Sequence, residues 1–232
     1  MSVLFQDDLT TIVHGKWQDH LDLLEAADVL VTDPPYGMDY ISNFAIAGPT
    51  PPVKGDKTTE ERDTLLEAWF RQNPDSKAMG RDDRPALVFG TWRVPRPRFG
   101  VRQLIVWHKG DTPGMGDLNI PWGPSHEEIY VMGGYRKTDW QGKRGPSVIR
   151  ARTSEGNAPG ERKRHGHPTP KPVLLMQSLI AHTTGELIFD PFLGSGTTCV
   201  AARMLGRRSV GIEMDENYAR AAVERVRRVG VK

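Results

Sequence analysis

The sequence predicts one α/β domain, and three observations lead to that fold class. Short β-branched apolar runs alternate with segments whose apolar residues recur at helical spacing. Near the end of the chain a strand, a glycine-rich loop, a helix, a further strand and an acid follow one another, which is the order of a nucleotide-binding half of an α/β fold. The length of 232 residues suits a single domain, 1–232, with room for an insertion.

The first half of the chain contains the clearest predicted strand. Val29–Thr32 is β-branched and apolar, and Pro34 and Pro35 end it because proline cannot donate to a ladder. The carboxyl end of such a strand is where open α/β sheets bind ligands. Residues 41–57 are predicted to be a flexible loop, and the capping-box pattern of residues 58–61 predicts a helix. Three more strands are predicted, over 86–89, 104–107 and 128–132.

Residues 133–167 show little periodicity, so we expect an insertion that lies outside the core sheet. Order returns after Pro170 and Pro172, which suit the start of a helix. The apolar pattern then predicts a helix over 173–182, a strand over 187–189, a helix over 197–205, a strand over 209–212 and a helix over 216–229.

Positive charge is concentrated in one part of a nearly neutral chain. The formal net charge is +2, yet residues 136–171 hold ten Lys or Arg against three acids, a net +7. Such a segment suits phosphate binding, although a solvated basic loop explains the charge equally well. Trp122, Tyr135 and Trp140 flank the segment and could stack on bases, but packing of the insertion against the core is the simpler explanation.

Composition disfavours several classes of protein. No stretch approaches the ~20 apolar residues of a membrane helix, and the first residues lack the basic and apolar regions of a signal peptide. Cys199 is the single cysteine, which excludes an internal disulfide and a cysteine-rich zinc site. His126, His165 and His167 lack cysteines or paired acids to complete a metal site, so we expect no metal. Together these features indicate a cytoplasmic protein.

The glycine loop at Gly194 and Gly196 is a candidate ligand-binding element. Glycines allow a sharp turn and a close approach of a ligand, and the amino end of the next helix offers N–H groups to an anionic group. Glu213 ends the next strand, 17 residues after the second glycine, where a carboxylate can accept both hydroxyls of a ribose. A dinucleotide fingerprint would need a third glycine where Cys199 stands. A glycine turn without a ligand is the alternative.

The tetrapeptide Asp33-Pro34-Pro35-Tyr36 indicates more specific chemistry. An exocyclic amine of a nucleobase is a poor nucleophile, because its lone pair is delocalised into the ring. The Asp33 carboxylate and the carbonyl of the next residue can each accept one amine hydrogen, and the prolines hold these acceptors in place. Tyr36 offers a flat face to an extruded base. No suitable nucleophilic cysteine exists for methylation at cytosine C5. A plain Pro-Pro turn is the alternative.

The motifs in this order resemble the β group of S-adenosylmethionine-dependent DNA amino-methyltransferases, in which the catalytic motif precedes the cofactor motif. The resemblance covers 29–37, the strands near 86–90 and 104–110, and most of 165–229, including a match to the family's motif X at 167–172. It implies a Rossmann-like class I methyltransferase fold, with a mostly parallel seven-stranded sheet, helices on both faces and a circularly permuted motif order.

The resemblance also implies roles for individual residues. The catalytic residues would be Asp33, Pro34, Pro35 and Tyr36. The cofactor-binding residues would be Asp190, Pro191, Phe192, Gly194, Ser195, Gly196, Thr197, Glu213, Thr169 and Lys171. Thr169 and Lys171 would lie near the methionine end of the cofactor, although Lys171 could equally cap a structural loop. The DNA-binding residues would be Arg136, Lys137, Lys143, Arg144, Arg150 and Arg152, within a DNA-recognition insertion at 111–165.

The family's activity is methyl transfer from S-adenosylmethionine to an exocyclic amine in duplex DNA after base flipping. An aspartate at the start of the catalytic motif favours adenine N6, and cytosine N4, for which relatives more often begin with serine, is the alternative. Intact Asp33 and Gly194 disfavour a non-catalytic DNA-binding module, and the missing third glycine disfavours a nicotinamide oxidoreductase. The short DNA-reading segment allows a homodimer. At Gly15-Lys16 the chain departs from the Gly-Asp pair of many relatives, and no role is carried over there.

Overall fold

The computed structural model describes residues 2–35, 58–70, 84–111, 119, 121–152 and 170–230. In these ranges the strands are β1 (Ser2–Gln6), β2 (Thr10–His14), β3 (Val29–Thr32), β4 (Ala86–Gly90), β5 (Val101–His108), β6 (His126–Met132), β7 (Val148–Arg150), β8 (Leu187–Asp190) and β9 (Arg208–Glu213). The helices are α1 (Leu21–Ala26), α2 (Glu60–Phe70), α3 (Val173–Ala181), α4 (Thr197–Met204) and α5 (Glu216–Arg228). The helices and strands predicted from periodicity are confirmed, with shifts of a few residues at their ends.

The strands form one sheet in the order β1-β2-β9-β8-β3-β4-β6-β5-β7. Pairs β2–β9, β9–β8, β8–β3 and β3–β4 are parallel, whereas β6 runs antiparallel to both β4 and β5. The predicted mostly parallel α/β fold is therefore confirmed. The strand number exceeds the expected seven, because β1 and β7 add a short strand at each edge.

Helices cover both faces of the sheet, as expected for a parallel sheet whose strands are buried on both sides. Side chains of a strand alternate between the faces. In β3, Val29 and Val31 pack into the apolar cluster with α3, α4 and α5, whereas Leu30 packs into the cluster with α1 and α2. None of the described helices has the length and apolar character needed to cross a bilayer.

The sequence-based prediction was wrong for one strand. β7 lies within the segment expected to be outside the sheet, yet Val148, Ile149 and Arg150 pair in parallel with β5. The Trp107 indole N–H also donates to the carbonyl of Ala151 at 2.7 Å. A three-residue edge strand with two exposed side chains has no apolar run to reveal it, because its order comes from the neighbouring strand.

Candidate functional site at the carboxyl edge of the sheet

The catalytic and cofactor motifs, far apart in sequence, become neighbours through the pairing of β3 with β8. Val29 and Leu30 lie opposite Ile188 and Phe189, so both strands end at the same edge of the sheet. There the Thr32 hydroxyl donates to Asp190 Oδ1 at 2.7 Å. Parallel strands in such sheets place their ligands at this carboxyl edge.

Asp190 joins the two motifs through its buried carboxylate. Besides Thr32, the Thr198 hydroxyl donates to Oδ2, and the Phe192 backbone N–H donates to Oδ1 at 3.2 Å. Burial raises the pKa of Asp190 to about 6, and the hydrogen bonds that favour the anion offset only part of that rise. Asp190 therefore organises the start of the glycine loop from inside the protein.

Because its pKa is raised, we expect Asp190→Asn to alter the pH dependence of stability. The folded state binds this proton more tightly than the unfolded chain, so the wild type loses stability as the pH rises from the ordinary value of 3.8 to about 6. Relative to the wild type, the Asn variant should therefore gain about 2 kcal/mol in unfolding free energy between pH 4 and pH 7. Urea unfolding across this range measures the difference, with exposed Asp22→Asn as the control. A pH-independent difference contradicts the prediction.

The glycine loop after β8 depends on the missing side chains of its glycines. Gly194 and Gly196 have φ values of 54° and 86°, a region that side chains disfavour. A Cβ on Gly196 would lie 2.7 Å from the Cβ and 2.9 Å from the Cα of Ala222 in α5. The loop thus packs directly on the last helix, and the amino end of α4 follows it.

Arg225 of α5 supports the same loop from beneath. Its buried guanidinium donates to the Ser195 carbonyl at 2.7 Å, to the Ser195 hydroxyl at 2.9 Å and to the Thr197 hydroxyl at 3.0 Å. The side chains of Ser195 and Thr197, both expected at the cofactor, therefore point to a protein group. Arg225 was not predicted from the sequence as part of this site. Its position between Ala222 and Val226, on the buried side of α5, is the signal that could have identified it.

Glu213 lies at the carboxyl end of β9 with its two oxygens oriented by the backbone. Oε2 accepts from the Gly194 N–H at 2.7 Å, and Oε1 accepts from the Asp215 N–H at 2.9 Å. Burial raises the pKa of this carboxyl, against the effect of these hydrogen bonds. Each carboxylate oxygen has two lone pairs, so both can accept a further hydrogen from a pair of vicinal hydroxyls. The Gly15 N–H donates to the Glu213 backbone carbonyl at 3.0 Å, which places the Gly15-Lys16 turn beside the end of β9.

Lys171 contacts the catalytic loop. Its ammonium lies 2.7 Å from Asp33 Oδ2 and 2.8 Å from Glu127 Oε2, and Lys109 lies 2.5 Å from Glu127 Oε1. Neither Glu127 nor Lys109 was identified from the sequence, because a lone acid near the start of β6 and a lone lysine after β5 belong to no motif. The structure thus brings together four charged groups from four separate segments at the carboxyl edge of the sheet.

The basic residues expected to bind DNA are divided between the two edges of the sheet. Arg150 pairs with His108 at the end of β5, and Arg152 follows it, so both lie at the edge that holds Asp33. Arg136 and Lys137 follow the antiparallel strand β6 and therefore leave the sheet at the opposite edge. Their segment is held there, where the Thr184 N–H donates to the Asp139 carbonyl at 3.3 Å.

Lys143 and Arg144 also lie away from Asp33, beside the carboxyl end of α3. The His182 ring contacts the Lys143 carbonyl at 3.2 Å. All six predicted DNA-binding side chains are exposed, and Arg150 forms an ion pair with Asp111. The described basic residues of the segment 136–171 consequently do not form one surface, and Lys171 among them is buried between carboxylates.

Two exposed tryptophans border the edge that holds Asp33. Trp122 precedes β6 and is 83% exposed, so the expectation that it packs against the core is wrong. Trp92, which no sequence motif indicated, follows β4 and is 59% exposed beside Arg93. Of the other two aromatic residues, Trp140 packs against the core as expected, and its indole donates to the Gly134 carbonyl at 2.6 Å. Tyr135 remains exposed and contacts the Arg102 guanidinium, so the expectation that it packs against the core is wrong.

Some expectations lie outside the described residues: those for Tyr36, Thr169, His165, His167 and the loop 41–57. Within the parts of the chain that the structure describes, no group of three His, Cys, Asp or Glu side chains could hold a metal ion. Cys199 is buried in α4, and burial raises the pKa of its thiol to about 12, which is a property of a packed side chain and not of a nucleophile.

Comparison with known proteins gives consistent matches across nearly the whole chain. A family model described as DNA methylase, of the N6/N4 type, matches residues 27–224. The type II methyltransferase M2.DpnII of Streptococcus pneumoniae is 47% identical over 232 residues, which cover 87% of this chain and 83% of the relative. Two solved structures share the fold. The M1.HpyAVI–SAM complex has a TM-score of 0.62 at 20% identity and covers 94% of this chain and 99% of its own. The cytosine-N4-specific PvuII DNA methyltransferase has a TM-score of 0.64 at 17% identity and covers 96% and 88%.

Proposed function

Because the chain belongs to the N6/N4 family of DNA methylases, we propose that it transfers a methyl group from S-adenosylmethionine to N6 of adenine in duplex DNA. The observation that supports this most is the position of Asp33. It follows β3 at the carboxyl edge, and the hydrogen bond between Thr32 and Asp190 ties its strand to the glycine loop. The acceptor of the amine hydrogens and the cofactor loop are thereby held in one rigid unit.

The residues around the glycine loop fit S-adenosylmethionine. Glu213 has acceptor capacity for the two ribose hydroxyls, and the left-handed Gly194 lets a ligand approach the backbone closely. Phe192, partly buried next to Asp190, provides an apolar contact for the adenine ring. S-adenosylmethionine supplies an electrophilic methyl group, so no metal ion and no covalent intermediate on the protein is required.

Asp33 and the carbonyl of Pro34 prepare the target amine. Each accepts one hydrogen of the amine, which favours a more tetrahedral nitrogen whose lone pair is directed out of the ring plane. The amine nitrogen forms its new bond to the methyl carbon through that lone pair while the carbon–sulfur bond of the sulfonium breaks. The sulfur keeps the electron pair of the broken bond and leaves as a neutral thioether, and the nitrogen releases one proton to solvent. The target base must leave the duplex to reach Asp33, and the exposed Trp92 and Trp122 at this edge offer faces for stacking.

Adenine is proposed over cytosine because the catalytic motif begins with aspartate. The cytosine-N4-specific PvuII enzyme shares the fold but is only 17% identical, so this likeness does not bear on the base. Both reactions would use the same acceptors on an exocyclic amine, and nucleoside analysis distinguishes their products.

The proposed function is tested by transfer of a labelled methyl group from S-adenosylmethionine to DNA amplified in vitro, which carries no methyl groups. The DNA is then digested to nucleosides and separated. Label in N6-methyldeoxyadenosine is the expected result. Label in N4-methyldeoxycytidine would overturn the choice of base, and the absence of label from mixed-sequence DNA would overturn the function.

The position of Arg152 predicts a role in DNA binding that Arg136 should not share. Arg152→Ala should weaken DNA binding by about 3- to 10-fold and lower the slope of log affinity against log salt by about 1, as loss of a phosphate contact does. Arg136→Ala removes the same charge at the opposite edge and serves as the matched control. Fluorescence anisotropy with duplex DNA at several salt concentrations measures both. Equal losses in the two variants would contradict the assignment of DNA to the edge that holds Asp33.

A further inference from the structure

Four charged side chains form a row that begins at the catalytic loop. Asp33, Lys171, Glu127 and Lys109, here called the charged row, alternate in sign. The contacts between neighbours are 2.7 Å for Asp33–Lys171, 2.8 Å for Lys171–Glu127 and 2.5 Å for Glu127–Lys109. The row has no net charge, so its members can lie side by side at the sheet edge without uncompensated charge.

Lys171 is the most buried member of the charged row. Its side chain is 9% exposed, compared with 29% for Asp33 and 28% for Lys109. Its ammonium lies 4.8 Å from the ring centre of Phe89 and 5.6 Å from that of Trp107. Aromatic faces below and carboxylates on either side leave the ammonium little freedom to move.

Lys171 and Glu127, the two inner members of the charged row, both remain ionised although burial disfavours their charged forms. Burial lowers the pKa of Lys171, but Asp33 and Glu127 outweigh it and raise that pKa above its ordinary value. Burial raises the pKa of Glu127, and Lys171 and Lys109 outweigh it, so that pKa is lowered. Asp190 is the other carboxylate that senses this region, since the charge of Asp33 contributes to its raised pKa.

We propose that Lys171, held by Glu127, is a positioning residue for Asp33 and not a ligand of the cofactor. The ammonium contacts one carboxylate oxygen of Asp33 and so restrains rotation of the group that accepts the amine hydrogen. Glu127 anchors the ammonium from the other side, and Lys109 neutralises Glu127. The inference rests on the proposed function, because it assigns the charged row to the amine acceptor of that reaction.

Two variants separate positioning from cofactor binding. Lys171→Met should lower the single-turnover rate of methyl transfer by about 100-fold, the scale of loss that misplacement of a reacting group by an ångström causes. The dissociation constant for S-adenosylmethionine, measured by calorimetry, should change by less than about threefold. Glu127→Gln keeps a hydrogen-bonding side chain beside Lys171 but removes its charge, so we expect a smaller loss of about 10-fold.

The double variant Lys171→Met/Glu127→Gln separates positioning from a merely structural role. Lys171→Met leaves two partly buried carboxylates without their shared cation and should lower the melting temperature. Removing the Glu127 charge as well should restore much of the melting temperature but not the rate. The acid limb of the rate–pH profile should also move to higher pH in Lys171→Met. Without the neighbouring ammonium, the carboxylates bind a proton at a higher pH than they do in the wild type.

The possible outcomes distinguish the inference from the function on which it depends. Wild-type transfer with a slow Lys171→Met enzyme, intact cofactor affinity and a slow double variant supports the positioning role. Cofactor affinity that falls in parallel with the rate, or a double variant that regains the rate together with its stability, overturns that role alone. A wild-type enzyme that transfers no label overturns the proposed function and the positioning role together.

Discussion

Replacing Asp33 with alanine should lower the rate of methyl transfer by about 1000-fold while the affinity for S-adenosylmethionine stays within about threefold. In the proposed reaction this carboxylate accepts one amine hydrogen, and the Lys171 ammonium contacts it at 2.7 Å at the carboxyl edge of the sheet. Glu213, which we propose binds the ribose, lies at the end of β9, two strands from β3. The cofactor site should therefore form normally in the variant.

Two further variants make the Asp33→Ala experiment specific. Asp33→Asn keeps an oxygen acceptor but loses the charge, so its rate should lie between those of the wild type and Asp33→Ala. Asp22→Ala removes an exposed carboxylate from α1 and should leave the rate unchanged. Single-turnover transfer and calorimetry are measured on each enzyme. An Asp33→Ala enzyme that retains more than a tenth of the wild-type rate would refute the assigned role.

A methyl group added at Gly196 should strongly weaken cofactor binding. Alanine there must adopt a φ of 86°, and its Cβ would lie 2.7 Å from the Cβ of Ala222. The conformational strain is about 1–2 kcal/mol and the clash with α5 adds about 1–3 kcal/mol. Because the clash includes the helix backbone, the loop must move, and the dissociation constant for S-adenosylmethionine should rise by about 100-fold or more.

Gly206→Ala is the matched control for this experiment. Gly206 has a φ of 67°, and an added Cβ would meet nothing within 4 Å, so only the conformational strain applies. Its melting temperature should fall slightly and its cofactor affinity should not change. Gly196→Ala/Ala222→Gly removes the nearest clashing atom and should recover part of the affinity. Equal behaviour of Gly196→Ala and Gly206→Ala would show that packing against α5 is unimportant.

Local patterns in the sequence were sufficient for much of the fold and for part of the site. The β-branched run before Asp33, the spacing from Gly196 to Glu213 and the periodic final helix are signals carried by neighbouring residues. They predicted the strands β3 and β9, the glycine turn and α5, all of which the structure contains. Short edge strands such as β1 and β7 were not predicted, because they form only by pairing with a neighbouring strand.

Only the tertiary structure decided the partners of the charged side chains. Sequence spacing does not show that Lys171 lies between Asp33 and Glu127, or that Arg225 supports the glycine loop. The sequence also does not show how the basic segment is divided between the edges of the sheet. Arg136 follows the antiparallel strand β6 and lies at the edge opposite Asp33, whereas Arg150 ends the parallel strand β7 and lies at the same edge as Asp33. The chain by itself determined which chemical groups are present and which short elements they follow. Strand order and direction determined which of those groups meet, because contacts between residues distant in sequence depend on how the whole sheet pairs.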